Sequence, residues 1–433
     1  MTIMGLRFPA TMFALFFIGL AAARAEENIP VPDVVDLPAV LRLVRDVSPR
    51  LSIERQAIAG AEANRITAGV YPNPTLNYGR LRPSGGLATI FEGSRQEQAT
   101  VDVPLLIAGQ RSARIEKAER EIEAARARVA SGASSLAAEA GAAFVALLAA
   151  QEKAALLSAA NQELVRLRDI VAGREASGMA SRYDLTRLDV ELGGFRTKLE
   201  ETTADISDRA GNLAALLGLR NWRPKAAGSL SPMVLGADTL TKLRDRALIS
   251  PATIAAIREE TVAQSSVEVA RRERWPVPAV SAGRTWTSDP FGAANFLGLS
   301  VEIPILDTRR GPLAKAEAEA MAAALRRELA VAEVATNLER LANVIAAREA
   351  ALQRFQQEAS ARLPSLKQMA EDAYRLGRSS IFELLDSTRS RYDLYQTRID
   401  LVAALYEAQL RFLAISGDLE RSVGLTVPEP ARR

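Results

Sequence analysis

Glu383 and Asp386 stand three residues apart at the start of a periodic apolar stretch. On a helix that spacing puts both carboxylates on one face. Two carboxylates there attract cations and can contribute to holding a divalent ion. Acidic residues in a first helical turn also complement the helix dipole with no ligand at all. Asp184 occupies a matching place after an earlier turn, where it reads equally as a first-turn cap, and Tyr374 reads as packing. The chain has no histidine and no cysteine. It also carries no nucleophile–base pattern and no phosphate-cradling loop. The chemistry on offer is therefore electrostatic, and an enzyme is disfavoured.

The elements that place these residues occur twice. Tyr71-Pro-Asn-Pro74 returns as Trp275-Pro-Val-Pro278, Val101-Asp-Val-Pro-Leu-Leu106 as Val301-Glu-Ile-Pro-Ile-Leu306, and Gly178 with Tyr183-Asp184-Leu185 as Gly377 with Phe382-Glu383-Leu384. The offsets of 204, 200 and 199 residues copy a whole unit in order and spacing. The expected organisation is a leader over 1–25, a first repeat over 26–217, a linker over 218–237, a second repeat over 238–423 and a tail over 424–433.

In the first repeat the pattern predicts a helix over about 37–68 and strands over about 75–80 and 98–105, with a Gly/Ser-rich loop at Ser84-Gly85-Gly86 between the strands. Ala99, Val101 and Val103 alternate with Gln98, Thr100 and Asp102, as a half-buried strand does. A helix follows over about 109–171, with a coiled-coil seam of Ile115, Ala118, Ile122, Ala125 and Val129. At ~1.5 Å per residue it is roughly 90–100 Å long. The turn at Ala176-Ser-Gly178 leads into a returning helix over about 182–217. The second repeat predicts a helix over about 238–274, strands near 279–286 and 296–305, one long helix over about 309–373, a turn at Leu376-Gly377 and a return over about 380–415. Along that last helix Leu385, Thr388, Tyr392, Tyr395, Ile399 and Val402 step by three and four. Gly178 and Gly377 suit the left-handed conformation that ends a helix. Pro74, Pro104, Pro278 and Pro304 bend the chain where helix and strand meet.

Composition fits this picture. Aromatics are 5% and charged residues 25% of the 433 residues, as suits long packed helices. Arg7, the apolar run 8–20 and Ala23-Arg24-Ala25 form a secretory leader with an A-x-A cleavage site. Without it, 53 basic residues face 52 acidic ones. That balance gives no basic stripe for nucleic acid. The absence of cysteine excludes disulfides and a lipid-modified N-terminal cysteine. The most apolar later stretch, 136–150, is alanine-rich, short and carries Glu139, so no spanning helix is expected. An exported chain of this kind is periplasmic, extracellular or inserted as β-strands. Four strands cannot close a barrel, and their edges would be unsatisfied in lipid. Three copies would supply twelve strands, so a homotrimer is the expectation.

This order of elements resembles the TolC-like outer-membrane efflux proteins across nearly the whole mature chain. Tyr71-Pro-Asn-Pro74 looks like the start of the family's first strand. Val103-Pro-Leu-Leu106 before Arg111, and Ile303-Pro-Ile-Leu306 before Arg309-Arg310-Gly311, look like its strand-to-helix crossings. Ala373-Tyr374-Arg375-Leu376-Gly377, Ser380 and Leu384-Leu385-Asp386 look like its second-tip signature. The resemblance implies a mainly α fold with a small β part: duplicated long coiled-coil helical hairpins and four transmembrane β-strands, forming a trimeric α-barrel and twelve-stranded β-barrel duct.

In function it implies the outer-membrane exit duct of a tripartite efflux pump with a long periplasmic part. The implied partners are a periplasmic adaptor, a proton-driven inner-membrane transporter and outer-membrane lipid. No cofactor and no resident metal are implied. Glu383 and Asp386 match the acidic periplasmic gate, while Asp184 and Tyr374 match a polar latch that holds it shut. The tip turns Gly178-Met179-Ala180 and Gly377-Arg378-Ser379 match the adaptor contact. Arg378 directly follows Gly377, a departure that leaves the family's basic latch partner unassigned. Ala108-Gly-Gln-Arg111-Ser-Ala-Arg114 looks like the heavy-metal cation branch. The same resemblance leaves open the exit duct of a type I protein-secretion system. A soluble periplasmic coiled coil is a third reading, which the duplicated strand alternation disfavours.

Overall fold

The computed structural model describes residues 31–82, 95–236, 242–287 and 292–425. The expected leader, the Ser84-Gly85-Gly86 loop and residues 426–433 of the tail lie outside the described residues.

The first series of elements is β1 (Val34–Val35), α1 (Leu37–Val47), α2 (Pro49–Ala68), β2 (Thr75–Leu81), β3 (Gln96–Pro104), α3 (Gln110–Ala176) and α4 (Arg182–Leu217). The second is β4 (Lys225–Ala226), α5 (Leu243–Ile249), α6 (Pro251–Arg272), β5 (Ala279–Thr287), β6 (Ala293–Ser300), α7 (Arg310–Glu358), α8 (Leu363–Arg375), α9 (Ile381–Ser416) and the short α10 (Leu419–Ser422). The 67 residues of α3 make a rod of about 100 Å. One stretch of α3 is apolar enough by composition to span a membrane, but more than half of it is buried within the chain. Leu136, Ala140, Phe144, Leu147 and Leu148 pack into a core with Val40, Leu213, Leu338, Leu410 and Phe412.

Where one helix was expected over 37–68, the structure has two. Pro49 opens α2, and Ser48 before it leaves helical geometry at ψ 121°. A residue preceding proline is disfavoured in the α region, so the helix must restart. The expected helix over 238–274 breaks the same way at Ser250-Pro251, with Ser250 at ψ 140°. Both breaks sit on glycine helix ends. A Cβ on Gly218, which has φ +71°, would meet Pro49 Cδ at 2.8 Å, and one on Gly417, at φ +80°, would meet Pro251 Cδ at 3.1 Å. Gly218→Val is expected to lower stability by about 2–4 kcal/mol, combining left-handed strain with the clash. Gly173→Ala, with nothing within 4 Å of its Cβ, should be neutral or stabilising. Equal thermal midpoints for the two variants would refute this.

Two further expectations are corrected. The single helix over 309–373 is interrupted by a 3-10 turn at Ser360–Arg362, after which Pro364 begins the first turn of α8. The last strand ends at Ser300 rather than near 305, because its neighbour β5 begins at Ala279, the partner of Ser300. In the linker, β4 pairs in parallel with β1, a two-residue ladder too short to show periodicity.

β2, β3, β5 and β6 form one antiparallel sheet in that order. The helices entering and leaving it pack in the same order: α2 on α3, α3 on α6, α6 on α7. At the other end of the long helices, α3, α4, α8 and α9 converge on a second apolar core around Leu164, Val171, Leu188, Phe195, Leu384 and Tyr392.

Candidate functional site at the helical tips

Both tips are built alike. After α3, Gly178 takes φ +73°, and the Met179 N–H reaches back to the Arg174 carbonyl at 2.7 Å. After α8, Gly377 takes φ +69°, and the Arg378 N–H bonds the Ala373 carbonyl at 2.8 Å. This reversal satisfies the orphan carbonyls at the end of each helix. Met179 is exposed, Ala180 is half-buried, and Arg378 is exposed. Ser379 is half-buried, its hydroxyl shielded from solvent without a partner.

The helices that follow start on matching capping boxes. The Asp184 N–H donates to Ser181 Oγ at 3.2 Å, and the Ser181 N–H donates to Asp184 Oδ2 at 3.1 Å. In the second repeat, Glu383 N–H to Ser380 Oγ is 3.3 Å and Ser380 N–H to Glu383 Oε2 is 3.2 Å. Asp184 and Glu383 therefore share a role: each uses one carboxylate oxygen to satisfy a backbone donor and keeps its charge at the positive end of a helix. Glu383 and Asp386 are both exposed on the first turns of α9.

Tyr374 is buried and stacks under Arg174, whose guanidinium carbon lies 5.1 Å from the ring centroid; Arg174 also donates to the Tyr374 carbonyl at 3.0 Å. Burial raises the phenol pKa; the charge of Arg174 pulls it down and that of Asp184 pushes it up. Among the described residues no hydrogen bond joins Asp184 to Tyr374. What the structure places beside Tyr374 is Arg174, which sequence reasoning did not single out. A second contact of the same kind, Arg187 over the exposed Phe382 ring at 5.9 Å, links the start of α4 to that of α9.

A little above the tips lies a charge network between residues far apart in the chain. Glu163 on α3 is largely buried and accepts from Arg391 on α9 and from Lys367 Nζ on α8 at 2.8 Å. Burial pushes the Glu163 carboxyl up, but the hydrogen bonds from Arg391 and Lys367 outweigh it and hold the group below the usual carboxylate range. Two residues earlier on α9, Arg389 donates from Nε to the buried Glu191 on α4 at 2.6 Å and makes a second bond through Nη2. Positions two apart project from opposite sides of a helix, so α9 is held from two directions by the two helices of the first repeat. Beside this pair, Phe195 and Tyr392 meet edge to face at 5.4 Å, with Lys198 Nζ 5.6 Å from both rings. The one hint in the sequence is Arg391 beside Tyr392, a position in the apolar stepping of the last helix.

Among the described residues no group of three or more acidic side chains is arranged to hold a metal ion. The tips can attract, repel and interlock; their carboxylates are committed to caps and ion pairs or lie open to solvent.

No protein-family model matches the chain. It is 26% identical over 392 residues to the cobalt-zinc-cadmium resistance protein CzcC of Cupriavidus metallidurans, covering 88% of this chain and 86% of that one. It is 27% identical over 329 residues to the nickel-cobalt-cadmium resistance protein NccC of Alcaligenes xylosoxydans, covering 73% and 70%. Among solved structures, the outer-membrane channel OprN superposes with a TM-score of 0.71 at 19% identity, covering 88% of this chain and 90% of that one. CusC, solved in a study of folding and transmembrane channel formation, gives 0.71 at 16%, covering 90% and 92%. The outer membrane protein VceC of Vibrio cholerae gives 0.69 at 16%, covering 89% and 97%.

Proposed function

We propose that this chain, which has the fold of the TolC-like outer-membrane channels, is the outer-membrane exit duct of a tripartite efflux pump that expels heavy-metal cations. The observation that carries the reading is the sheet with two open edges, set on helices that pack in the same order as its strands. β2 and β6 each have one unpaired side, which a membrane-inserted sheet cannot leave unsatisfied. Three copies side by side make twelve strands above and twelve helices below, α7 of one copy meeting α2 of the next. Met321, Leu325 and Leu329, spaced by four on α7, are exposed apolar residues suited to that contact, as are Ile53 and Ile66 on α2.

In this reading the tip turns at Gly178-Met179-Ala180 and Gly377-Arg378-Ser379 meet the periplasmic adaptor, which joins the duct to an inner-membrane transporter. Glu383 and Asp386 from three copies ring the periplasmic mouth with six carboxylates. Asp184 and Tyr374 belong to the polar contacts that keep the mouth narrow. The metal-resistance names of the two relatives favour efflux over protein secretion and favour metal cations as cargo. The duct passes such ions without binding them tightly, consistent with a chain free of histidine and cysteine.

Planar-bilayer conductance tests this. The mature protein is expected to form small cation-selective channels blocked by divalent ions. Glu383→Ala with Asp386→Ala should weaken block and selectivity by roughly tenfold, since a ring of charge concentrates counter-ions at its mouth. Conductance unchanged in the double variant would remove the acidic gate and keep the channel; a verified trimer that inserts without conducting would remove the channel.

A further inference from the structure

The strand register assigns the side chains to two faces. Asn77, Gln98, Thr100, Asp102, Ser281 and Thr285 line one face and are polar. The other face begins with two apolar rows, Val103-Val280-Leu299 and Leu76-Val101-Ala282-Leu297. The next two rows, farther from the helices, change character: Tyr78-Ala99-Arg284-Asn295, then Arg80-Glu97-Trp286-Ala293. Arg82 follows Arg80 by two residues and is exposed.

Glu97 is the one acidic residue in these two rows, and it is already shared. Arg80 Nε and Arg95 Nε both lie 3.4 Å from its Oε1. Arg284 and Arg82 have no ion pair among the described residues. An arginine facing hydrocarbon is strongly disfavoured at the bilayer midplane and readily accommodated at the interface. Directly above an apolar band, Arg284 therefore marks an interface level. Tyr78 and Trp286, each with an apolar ring and a polar edge, occupy the same two rows, as aromatic girdles do. The helices leave the sheet at the opposite end, so this is the end remote from the periplasm.

We propose that this face, with Arg80, Arg82 and Arg284 flanked by Tyr78 and Trp286, binds the phosphate headgroups of anionic membrane lipids at the outer rim of the barrel. The inference rests on the outer-membrane duct reading above. A lipid fits better than a free anion because the arginines adjoin a continuous apolar surface that takes acyl chains. The guanidinium fork matches phosphate oxygens two at a time. With Glu97 already engaged, no other acidic side chain stands on this face among the described residues.

Native mass spectrometry of the purified trimer, offered phosphatidylglycerol or phosphatidylcholine, tests this. The wild type is expected to retain phosphatidylglycerol at least about tenfold better, since each arginine near a charged bilayer surface contributes severalfold in affinity. Arg82→Gln with Arg284→Gln should abolish the preference, and Arg196→Gln on α4 should keep it. Equal retention of the two lipids by the wild type overturns the proposal whether or not the variants fold. Displacement of the lipid by millimolar inorganic phosphate also overturns it, making the site one for the free anion. Conductance of the same samples separates the two readings: conducting wild type without lipid preference removes only the lipid site, while trimers that insert without conducting remove the duct as well.

Discussion

Glu163→Ala is expected to loosen the whole helical tip. The substitution leaves the Arg391 guanidinium, whose side chain is 9% exposed, without its carboxylate. Breaking a buried pair from one side costs about 3–5 kcal/mol, and the lower end applies because Lys367 retains access to solvent. A loss of about 3 kcal/mol multiplies local opening roughly a hundredfold. Amide exchange around 163–171 and 384–392 should therefore accelerate by that order, while exchange around Leu147 and Phe412 in the mid-helix core stays slow. Exchange unchanged at the tip would show that the ion pair contributes nothing to holding α9.

The same pair sets a pH dependence with a definite sign. Glu163 is held below the usual carboxylate range, so its stabilising contribution is complete above the ordinary glutamate pKa of about 4.3 and is lost as pH falls through the lower folded value. Tip opening, read as exchange corrected for its intrinsic pH dependence, should be flat from neutral pH down to mild acid and rise only in stronger acid. Glu163→Gln should remove that component of the rise.

Gly283→Val is the second large effect: assembly of the proposed trimer is expected to be lost. Gly283 lies on β5 between Thr100 and Phe296, and a Cβ there would run into the Ala99 carbonyl and come within 2.7 Å of the Thr100 Cα. Those are backbone atoms, so no rotamer change relieves the clash, and the β3–β5 ladder must open. That ladder joins the strands of the first repeat to those of the second. Heat-modifiable trimer bands after membrane extraction are the readout. Gly79→Ala on β2, with nothing within 4 Å, is the control that should assemble normally. Normal trimer yield from Gly283→Val would show that the β3–β5 contact is looser than the register implies.

How much of this was legible in the sequence depends on the range of the interaction. The strands from Thr75 and Ala279 and the helix starts at Ser181 and Ser380 follow from alternation, prolines and caps, all written within a few residues. The breaks at Ser48-Pro49 and Ser250-Pro251 were missed because proline fits the first turn of a helix and the apolar period runs through it. Past the end of β6, alternation continues through Val301 and Ile303 although pairing stops where β5 begins, so the sequence pattern overruns the strand. At the tips, the capping roles of Asp184 and Glu383 were local and readable. The Glu163–Arg391 and Glu191–Arg389 pairs join residues 228 and 198 positions apart, and no spacing rule reaches that far.

The interruption between α7 and α8 makes the two copies of the duplicated unit mechanically unequal. α3 runs unbroken from the sheet to its tip turn and bends as one stiff rod. The descending limb of the second copy has a joint at Ser360–Arg362, where tighter turns and Pro364 replace regular helical hydrogen bonds. A force applied at the tips meets a beam on one side and a knee on the other. In the proposed ring of three chains, three stiff legs would alternate with three jointed ones around the axis. Deflection then concentrates in the jointed legs, and Glu383 and Asp386 are carried on α9, one tip turn beyond the α8 that follows that joint.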